Sequence, residues 1–466
     1  MKIRPSQLWT VNGEIGRGEY VIWGGVLFAL KGNLDRYLFR DVLQANWDWL
    51  DYLRWNFPSP SLVSPEALSA QGWPLLLAAL PFLGAGVGLT VQRLRAARLP
   101  LWLAALFVVP VLKWFLFLVA AAAPRREAAL AHTAVVAEPG FFTRLCPRSR
   151  SGSALAGMGI AALLTICVTA VGAGVMANYG WGLFVGIPFL TGFLAVMIYG
   201  AREVRSVGEC LLVAMLSVAF AGGGFLLFAI EGLVCIVMAI PLALPLALIG
   251  GLAGHAAQPA RWRGGARAVL CAAFLAFPAM IGVERGGGGE APLLEVKSVI
   301  EVNAPPARVW RHVVTFSELA PPTEWLFRAG IAYPLRAEIR GTGVGAVRHC
   351  VFTTGPFVEP IEVWDEPRLL RFGVTANPAP MQEWTPYREI HPPHLNGFLA
   401  SERGQFLLTE LPGGRTRLEG TTWYRHHMWP VAYWQVWSDE IIHRIHLRVL
   451  RHVCALVEAE MGMREK

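Results

Sequence analysis

The stretch LEVKSVIEVNAPPARVWRHVVTF, residues 294–316, changes its character in the middle. Its first ten residues alternate between apolar and polar side chains, as a half-buried β-strand does. The following residues, APPARVW, contain two prolines near their start, and prolines are tolerated in the first turn of a helix. This stretch therefore predicts a strand followed directly by a helix, and it marks the start of a folded domain.

The residues on either side of this stretch set the limits of that domain. Upstream, ERGGGGEAP (284–292) contains four consecutive glycines, which are flexible and end any helix. Residues 430–460 predict one long C-terminal helix. Between them the strand-like runs cover 335–341, 345–354, 357–364, 368–375, 403–411 and 415–426, with a proline-rich insertion at 376–399. The chain thus divides into residues 1–285, a glycine-rich linker at 286–292 and a domain at 293–466.

The composition differs between the two halves of the 466-residue chain. Residues 1–289 carry 22 Lys and Arg against 13 Asp and Glu, whereas residues 290–466 carry 19 against 20. The basic excess therefore belongs to the apolar N-terminal half. There it is typical of the loops of a membrane protein, and it does not indicate a nucleic-acid partner.

A helix needs about 20 mostly apolar residues to cross a membrane. Clear candidates are 73–91, 154–176, 180–199, 209–229, 232–253 and 267–283. Residues 20–30 are apolar for only eleven positions before a charged cluster begins. Residues 101–123 are long enough but contain Pro110 and Lys113, so they form either a re-entrant hairpin or a kinked spanning helix. We expect about seven or eight hydrophobic segments.

The distribution of arginines predicts an orientation in the membrane. Arg202 and Arg205 mark one loop as cytoplasmic, and Arg261 and Arg263 mark another that lies two helices later. If 267–283 then crosses the membrane, the C-terminal domain lies outside the cytoplasm.

The C-terminal 170 residues resemble the START-like helix-grip fold of the SRPBCC superfamily, which includes polyketide cyclase/dehydrase-like and lipid-transport proteins. The segments that carry the resemblance are VIEVNAPPARVWRHVVTFSELA, IRGTGVGAVRHCVF, EPIEVWDEPRLLRFGV and GGRTRLEGTTWY. The resemblance implies a curved antiparallel sheet around the last helix, with an apolar cavity between them. This fold hosts enzymes, carriers and binding modules, so it implies no single reaction.

The N-terminal residues show a second resemblance. GEIGRGEYVIW together with QRLRAARLPLWL is similar to a small family of uncharacterised bacterial inner-membrane proteins. This similarity covers about the first 125 residues. The predicted fold class is therefore a multi-pass α-helical membrane domain followed by an α+β helix-grip domain.

Alternation along the predicted strands indicates which side chains face the cavity. In TRLEGTTWYRH, the face with Tyr424 and His426 carries fewer charges, so we place it inward. In FVEPIEV, Glu359 shares a face with apolar residues, and desolvation there would raise its pKa. The pattern of GAVRHCVF does not decide which way His349 points. These four residues, together with Trp437 at the strand-to-helix corner, are the candidate ligand-binding set.

Several interpretations of these residues compete. Glu359 with His426 or His349 would form an acid/base pair, or all three would belong to a buried hydrogen-bond network. Nine of the eleven histidines lie in the C-terminal domain, but no metal-binding signature is present, so we expect no metal. The histidine groups considered are His391 with His394, His426 with His427, and His443 and His446 with Asp439.

Three functions remain open. The preferred one is binding of a hydrophobic or lipid-like ligand in the helix-grip cavity at the membrane surface. The second is an enzyme that acts on an apolar substrate through the Glu/His pair. The third is a structural or sensory module whose cavity is filled by side chains, which a small cavity volume would favour. The chain lacks phosphate-loop, dinucleotide and nucleophile-elbow motifs, so we expect no cofactor.

Overall fold

The computed structural model describes residues 9–45, 47, 49–53, 72–97, 99–108, 113–114, 116–117, 120–121, 147–175, 179–258 and 291–464. In the N-terminal half the α-helices are α1 (Arg17–Tyr37), α2 (Trp73–Ala96), α3 (Arg150–Thr169), α4 (Ile187–Tyr199), α5 (Val207–Leu227) and α6 (Leu233–Ala256). A π-helix, Ala170–Val175, extends α3, and another, Gly182–Gly186, precedes α4. Shorter pieces are the π-helix Leu38–Val42 and the 3₁₀-helices Trp49–Leu53 and Leu101–Val108.

Five of these helical segments are long and apolar enough to cross a membrane. They are Trp73–Ala96, Arg150–Gly174, Gly182–Tyr199, Val207–Leu227 and Leu233–Ala256. They match five of the six clear candidates in the sequence. The sixth candidate, 267–283, lies outside the described residues, as do most of the linker and part of 101–123. The charged cluster after residue 30 is part of α1, where Lys31 and Asp35 form an ion pair one turn apart.

Small residues let the helices of the α3–α6 bundle approach closely. A Cβ atom on Gly192 of α4 would lie 1.9 Å from the carbonyl oxygen of Ala247 in α6. A Cβ atom on Gly250 would meet the carbonyl oxygen of Phe189 at 2.0 Å. Close contacts of this kind are typical of helices that pack inside a membrane, where the hydrophobic effect does not hold helices together.

The two ends of the α3–α6 bundle differ in charge. Arg148, Arg150, Arg202 and Arg205 are all the arginines between residues 147 and 258, and lysine is absent from that sequence. Arg150 lies 3.3 Å from Glu209, and the Arg205 amide donates to the Gln258 side chain at 3.0 Å, so these positions share one end. This end is called the basic end below.

The C-terminal domain is one antiparallel sheet of seven strands with helices on its concave side. Its elements are β1 (Leu294–Val302), α7 (Pro306–Val314), α8 (Trp325–Arg328), β2 (Pro334–Arg340), β3 (Val347–Phe352), β4 (Gly355–Asp365), β5 (Leu369–Gly373), β6 (Leu399–Leu411), β7 (Arg415–His426) and α9 (Val431–Arg464). The strand order is β1-β7-β6-β5-β4-β3-β2. This is the helix-grip arrangement, and the predicted strand–helix start and long final helix are confirmed.

The main core of this domain lies between the sheet and helices α7 and α9. Trp310 of α7, Leu418 of β7 and Leu450 of α9 are almost completely buried there. Leu418 comes from the face of β7 that the alternation predicts to point inward. The apolar residues of α9 that follow residue 445 close the sheet along its length.

The helix-grip domain rests on the end of the bundle that is opposite the basic end. The Trp429 amide donates to the Tyr179 carbonyl at 2.9 Å, and the Leu233 amide donates to the Trp384 carbonyl at 2.8 Å. The Tyr387 hydroxyl donates to the Leu227 carbonyl at the end of α5. Residues 376–398 and the start of α9 therefore form the docking face of the domain.

Candidate functional site

The cavity inside the helix grip is small. It has a volume of about 140 Å³ and lies between β3–β7 and α9. Ligand pockets usually have volumes of about 300–1,000 Å³. Much of the space that the fold could leave is taken by side chains, among them Arg348, Phe406 and His446, which line it.

A buried ion pair occupies one wall of this cavity. Arg348 on β3 and Glu359 on β4 face each other across the sheet, and the guanidinium donates to the carboxylate. The Arg348 Nε also donates to the Val314 carbonyl at 3.2 Å. Burial raises the pKa of Glu359, and Arg348 opposes that shift. The predicted inward carboxylate thus has an arginine, and not a histidine, as its hydrogen-bond partner.

Tyr424 and His426 lie on the inward face of β7 but contact α9 directly. Tyr424 is completely buried, and its hydroxyl lies 2.7 Å from the Ser438 Oγ and donates to Asp439 Oδ1 at 2.6 Å. His426 is also buried, and burial lowers its pKa. Neither residue is among those that line this cavity or the second cavity described below.

The other histidines have varied surroundings. His349 points away from the cavity, because the inward face of β3 carries Arg348, Cys350 and Phe352. His446 lines the cavity, and its Nε2 lies 2.7 Å from the Thr422 hydroxyl. Its Nδ1 and that of His443 lie within 3.1 Å of the Ser298 hydroxyl. Three ring nitrogens of this histidine pair on α9 therefore lie within hydrogen-bond distance of hydroxyl groups of the protein.

A larger cavity lies where the helix-grip domain meets the bundle, and we call it the junction chamber. Its volume is about 490 Å³. The bundle contributes residues from α3 to α6, and the domain contributes Met381, Met428 and Trp437 among others. Glu231 is the one carboxylate among the described residues that line it. Of the five residues predicted to bind a ligand, Trp437 is the one that lines this chamber.

Cys235, His394 and Glu231 form a polar group at the wall of the chamber, which we call the donor cluster. The Cys235 Sγ lies 2.9 Å from the His394 Nε2. The His394 Nδ1 lies 3.6 Å from the Glu231 Oε1, to which the Tyr179 hydroxyl donates at 3.3 Å. His394 is 6 % exposed, and its Nδ1 has no hydrogen-bond partner; nor does Glu231 Oε2.

Three separate segments bring the donor cluster together. Cys235 is the third residue of α6, and Glu231 belongs to the turn between α5 and α6. His394 lies in a 3₁₀-turn, Pro393–Leu395, within the insertion of the helix-grip domain. The cluster is therefore complete only when this domain is docked on the bundle.

Glu383 of the same insertion caps the N-terminus of α6. Its carboxylate accepts from the Val234 amide at 3.0 Å and from the Cys235 amide at 3.2 Å. The N-cap residue is Gly232, where a Cβ atom would lie 2.1 Å from the Glu383 carboxylate. A carboxylate at this position satisfies free amides and interacts favourably with the helix dipole.

The protonation of the donor cluster follows from its burial. Burial raises the pKa of Glu231 to about 8, and the nearby Glu383 adds to that shift. Burial lowers the pKa of His394 to about 4. Near pH 7, Glu231 is therefore protonated and His394 is neutral. In the tautomer with the proton on Nδ1, Nε2 is free to accept from the Cys235 thiol and the Nδ1–H group faces Glu231.

The donor cluster is also the one group of potential metal ligands found among the described residues. One donor atom from each of Glu231, Cys235 and His394 lies within 4.8 Å of the others. Thiolate, imidazole and carboxylate are ligands that zinc uses. However, a single ion binds only one of the two ring nitrogens of His394. The thiol lies next to Nε2, whereas the carboxylate lies next to Nδ1.

Sequence reasoning did not find this site. Cys235 lies in an apolar run, where cysteine is typically a small hydrophobe, and it is separated from His394 by 159 residues. His394 does occur in the HPPH group, but there its sequence partner is His391. His391 instead lies 3.2 Å from Glu389 and is half exposed.

Comparisons with known proteins reach only the C-terminal domain. A norcoclaurine synthase point mutant from Thalictrum flavum is 12 % identical over 37 % of this chain and 99 % of its own, with a TM-score of 0.26. An aromatase/cyclase from Streptomyces sp. R1128 is 15 % identical over 36 % and 96 %, with a TM-score of 0.25. A protein from Nitrosospira multiformis is 18 % identical over 36 % and 99 %, with a TM-score of 0.23.

No protein-family model matches the chain, and no curated protein matches it. The similarity of the first 125 residues to an inner-membrane family gains no support from these comparisons. The helix-grip assignment accordingly rests on the strand order and on the position of α9.

Proposed function

We propose that this protein binds an apolar, lipid-like molecule in the junction chamber, at the surface of the membrane. The observation that carries the proposal is the size and lining of the chamber. Its volume of about 490 Å³ falls in the range of ligand pockets, whereas the 140 Å³ helix-grip cavity does not. The ligand site that we expect in this chain therefore lies beside the helix grip and not within it.

The lining matches a ligand with a long apolar part and one polar end. Methionines 238, 381 and 428 supply adaptable apolar surface, and Trp437 supplies a rigid wall. The donor cluster offers hydrogen-bonding groups at one place on this wall. A lipid whose chain lies along the bundle and whose polar linkage reaches Cys235 and His394 fits this distribution.

The charges of the bundle support an orientation for this site. Arginines at the basic end favour the cytoplasmic side of a bacterial inner membrane. The loops at the other end, 176–181 and 228–232, contain neither lysine nor arginine. The helix-grip domain, with the chamber beneath it, would then lie on the extracytoplasmic side.

Labelling of single cysteines in intact cells tests this orientation. Thr342→Cys lies in an exposed loop of the domain, and Glu203→Cys lies in an exposed loop at the basic end. A membrane-impermeant maleimide should label the first variant directly and the second only after the membrane is permeabilised. Direct labelling of Glu203→Cys alone would reverse the orientation.

Native mass spectrometry of the full-length protein tests the binding site. We expect the wild type to retain a lipid-like molecule, and Ala239→Phe, which places a ring in the chamber, to retain at least several-fold less. Val237→Phe is the matched control, because Val237 is on the same helix but 49 % exposed. Equal retention by both variants, or no retention by the wild type, would contradict the proposal.

A further inference from the structure

The connectivity of the donor cluster is that of an activated nucleophile. The thiol of Cys235 faces Nε2 of His394, and Nδ1 of the same ring faces Glu231. In nucleophilic catalysis the base contacts the nucleophile with one nitrogen and is oriented by an acid through the other. The 3.6 Å between Nδ1 and Oε1 is longer than a hydrogen bond, as such contacts often are without a substrate.

The position of the thiol adds to this connectivity. Cys235 is in the first turn of α6, beside the Glu383 carboxylate that accepts from its amide. It also lines the junction chamber, so a ligand held there comes into contact with its sulfur atom. The chamber offers an apolar wall of α5 and α6 residues to an acyl chain beside this sulfur.

We propose that Cys235 accepts a long-chain acyl group, with His394 as the general base and Glu231 as the residue that positions His394. This inference rests on the proposed binding of a lipid-like molecule in the chamber. The acyl group can come from two sources, an ester in a membrane lipid or a soluble acyl thioester. Both carry an acyl carbonyl attached to a long apolar chain.

The reaction balances with these groups alone. The proton of the Cys235 thiol moves to Nε2 of His394 while a sulfur electron pair forms a bond to the acyl carbonyl carbon. The tetrahedral adduct then collapses, and the bond from the carbonyl carbon to the leaving oxygen or sulfur breaks. His394 returns the proton to that atom. The products are an acyl thioester on Cys235 and a free alcohol or thiol.

Glu383 controls access of the carbonyl to the helix N-terminus. The Cys235 amide is the donor closest in sequence to the attacking sulfur, and it is occupied by the Glu383 carboxylate. A developing oxyanion is stabilised by such an amide. Glu383 therefore has to leave this amide while the carbonyl oxygen occupies it.

Acylation of the full-length protein in detergent tests the proposal with two probes. Palmitoyl-coenzyme A supplies a thioester, and dioleoyl phosphatidylglycerol in mixed detergent micelles supplies an ester. We expect intact-mass spectrometry to show one added acyl group with at least one probe, which neutral hydroxylamine removes. The probe that works identifies the source of the acyl group.

Three variants and one control assign the residues. Cys235→Ser should abolish the adduct, and Cys167→Ser, which changes a half-buried cysteine of α3, should not. His394→Gln should slow acylation at least about 100-fold. In the wild type the rate should rise with pH through about 8, as Glu231 ionises and stabilises the imidazolium, and Glu231→Gln should lose this rise.

The outcomes separate this inference from the binding proposal. If Cys235→Ser still retains lipid by native mass spectrometry while the wild type forms no adduct with either probe, binding stands and the acyl-acceptor role is wrong. Equal acylation of Cys235→Ser and the wild type would also overturn it. So would a stoichiometric zinc ion that is lost in Cys235→Ser, because the donor cluster would then be a metal site.

Discussion

The interior of the helix grip and the junction chamber are both enclosed by α9, yet they are built differently. In the helix grip, Arg348 and Glu359 satisfy each other within a cavity of about 140 Å³. In the chamber of about 490 Å³, His394 Nδ1 and Glu231 Oε2 have no partner. Thr421 Oγ1 beside the helix-grip cavity also has no partner, so the two spaces differ mainly in volume and in the contact between a thiol and an imidazole in the chamber.

The difference in volume shows which of the two cavities is large enough for a ligand. A buried ion pair inside the helix grip fixes a cavity that is already largely filled. The chamber forms only where two units meet, from the apolar flank of α6 and the docking face of the helix-grip domain. Ligand sites often occur at such interfaces between structural units.

The largest effect that we expect comes from the helix-grip ion pair. Arg348→Met leaves Glu359 buried without a partner and should reduce the free energy of unfolding by about 3–5 kcal/mol. Thermal and denaturant unfolding of the full chain measure this loss. Arg336→Met is the matched control, because its partner Glu338 is exposed and the change should stay within about 0.5 kcal/mol.

If the folded Arg348→Met variant lost its lipid, the ion pair would contribute to ligand binding as well as to folding. That result would contradict the distinction between the helix-grip cavity and the junction chamber. We expect the folded fraction of this variant to retain as much lipid as the wild type.

The donor cluster should make the stability of the protein depend on pH. The pKa of Glu231 is about 8 in the folded protein and 4.5 in the unfolded chain. The folded state therefore holds an extra proton between these values, and its stability falls as the pH rises from 4.5 to 8. His394, with about 4 against 6.5, has the opposite effect below pH 6.5. Stability should therefore fall by about 1–2 kcal/mol between pH 6.5 and 8.

Thermal unfolding at a series of pH values measures this fall. Glu231→Gln should remove most of it, because a glutamine does not ionise. An unchanged pH profile in Glu231→Gln would show that another group is responsible and that Glu231 is not protonated in the folded protein.

The smallest effect should come from the contact between β7 and α9. Tyr424→Phe removes the hydroxyl that bonds Ser438 and Asp439 and should cost about 1–2 kcal/mol of stability. Lipid retention should not change, because Tyr424 does not line the chamber. A several-fold loss of retention without loss of stability would return Tyr424 to the ligand site.

Much of the architecture could be predicted because it depends on local patterns in the sequence. The alternation in 294–303, the glycine run and the apolar segments each depend on neighbouring residues only. The inward position of Glu359 followed from the same alternation. Its partner did not, because both faces of β3 carry a basic residue, Arg348 on one and His349 on the other.

The chamber could not be predicted in this way. Cys235 and His394 belong to different structural units, and their contact exists only through the docking of one on the other. The docking itself depends on single contacts such as Tyr387 with the Leu227 carbonyl. Neither residue type nor spacing in the sequence indicates a contact of this kind.

Photo-crosslinking with a diazirine-labelled fatty acid tests most directly where the ligand lies. After irradiation of the full-length protein, peptide mass spectrometry locates the adducts. We predict adducts on the chamber wall, at Met428, Trp437 and Met238, that decrease in Ala239→Phe. Adducts at Phe372, Phe406 and Val449, which surround the helix-grip cavity, would contradict the account and place the ligand inside the grip.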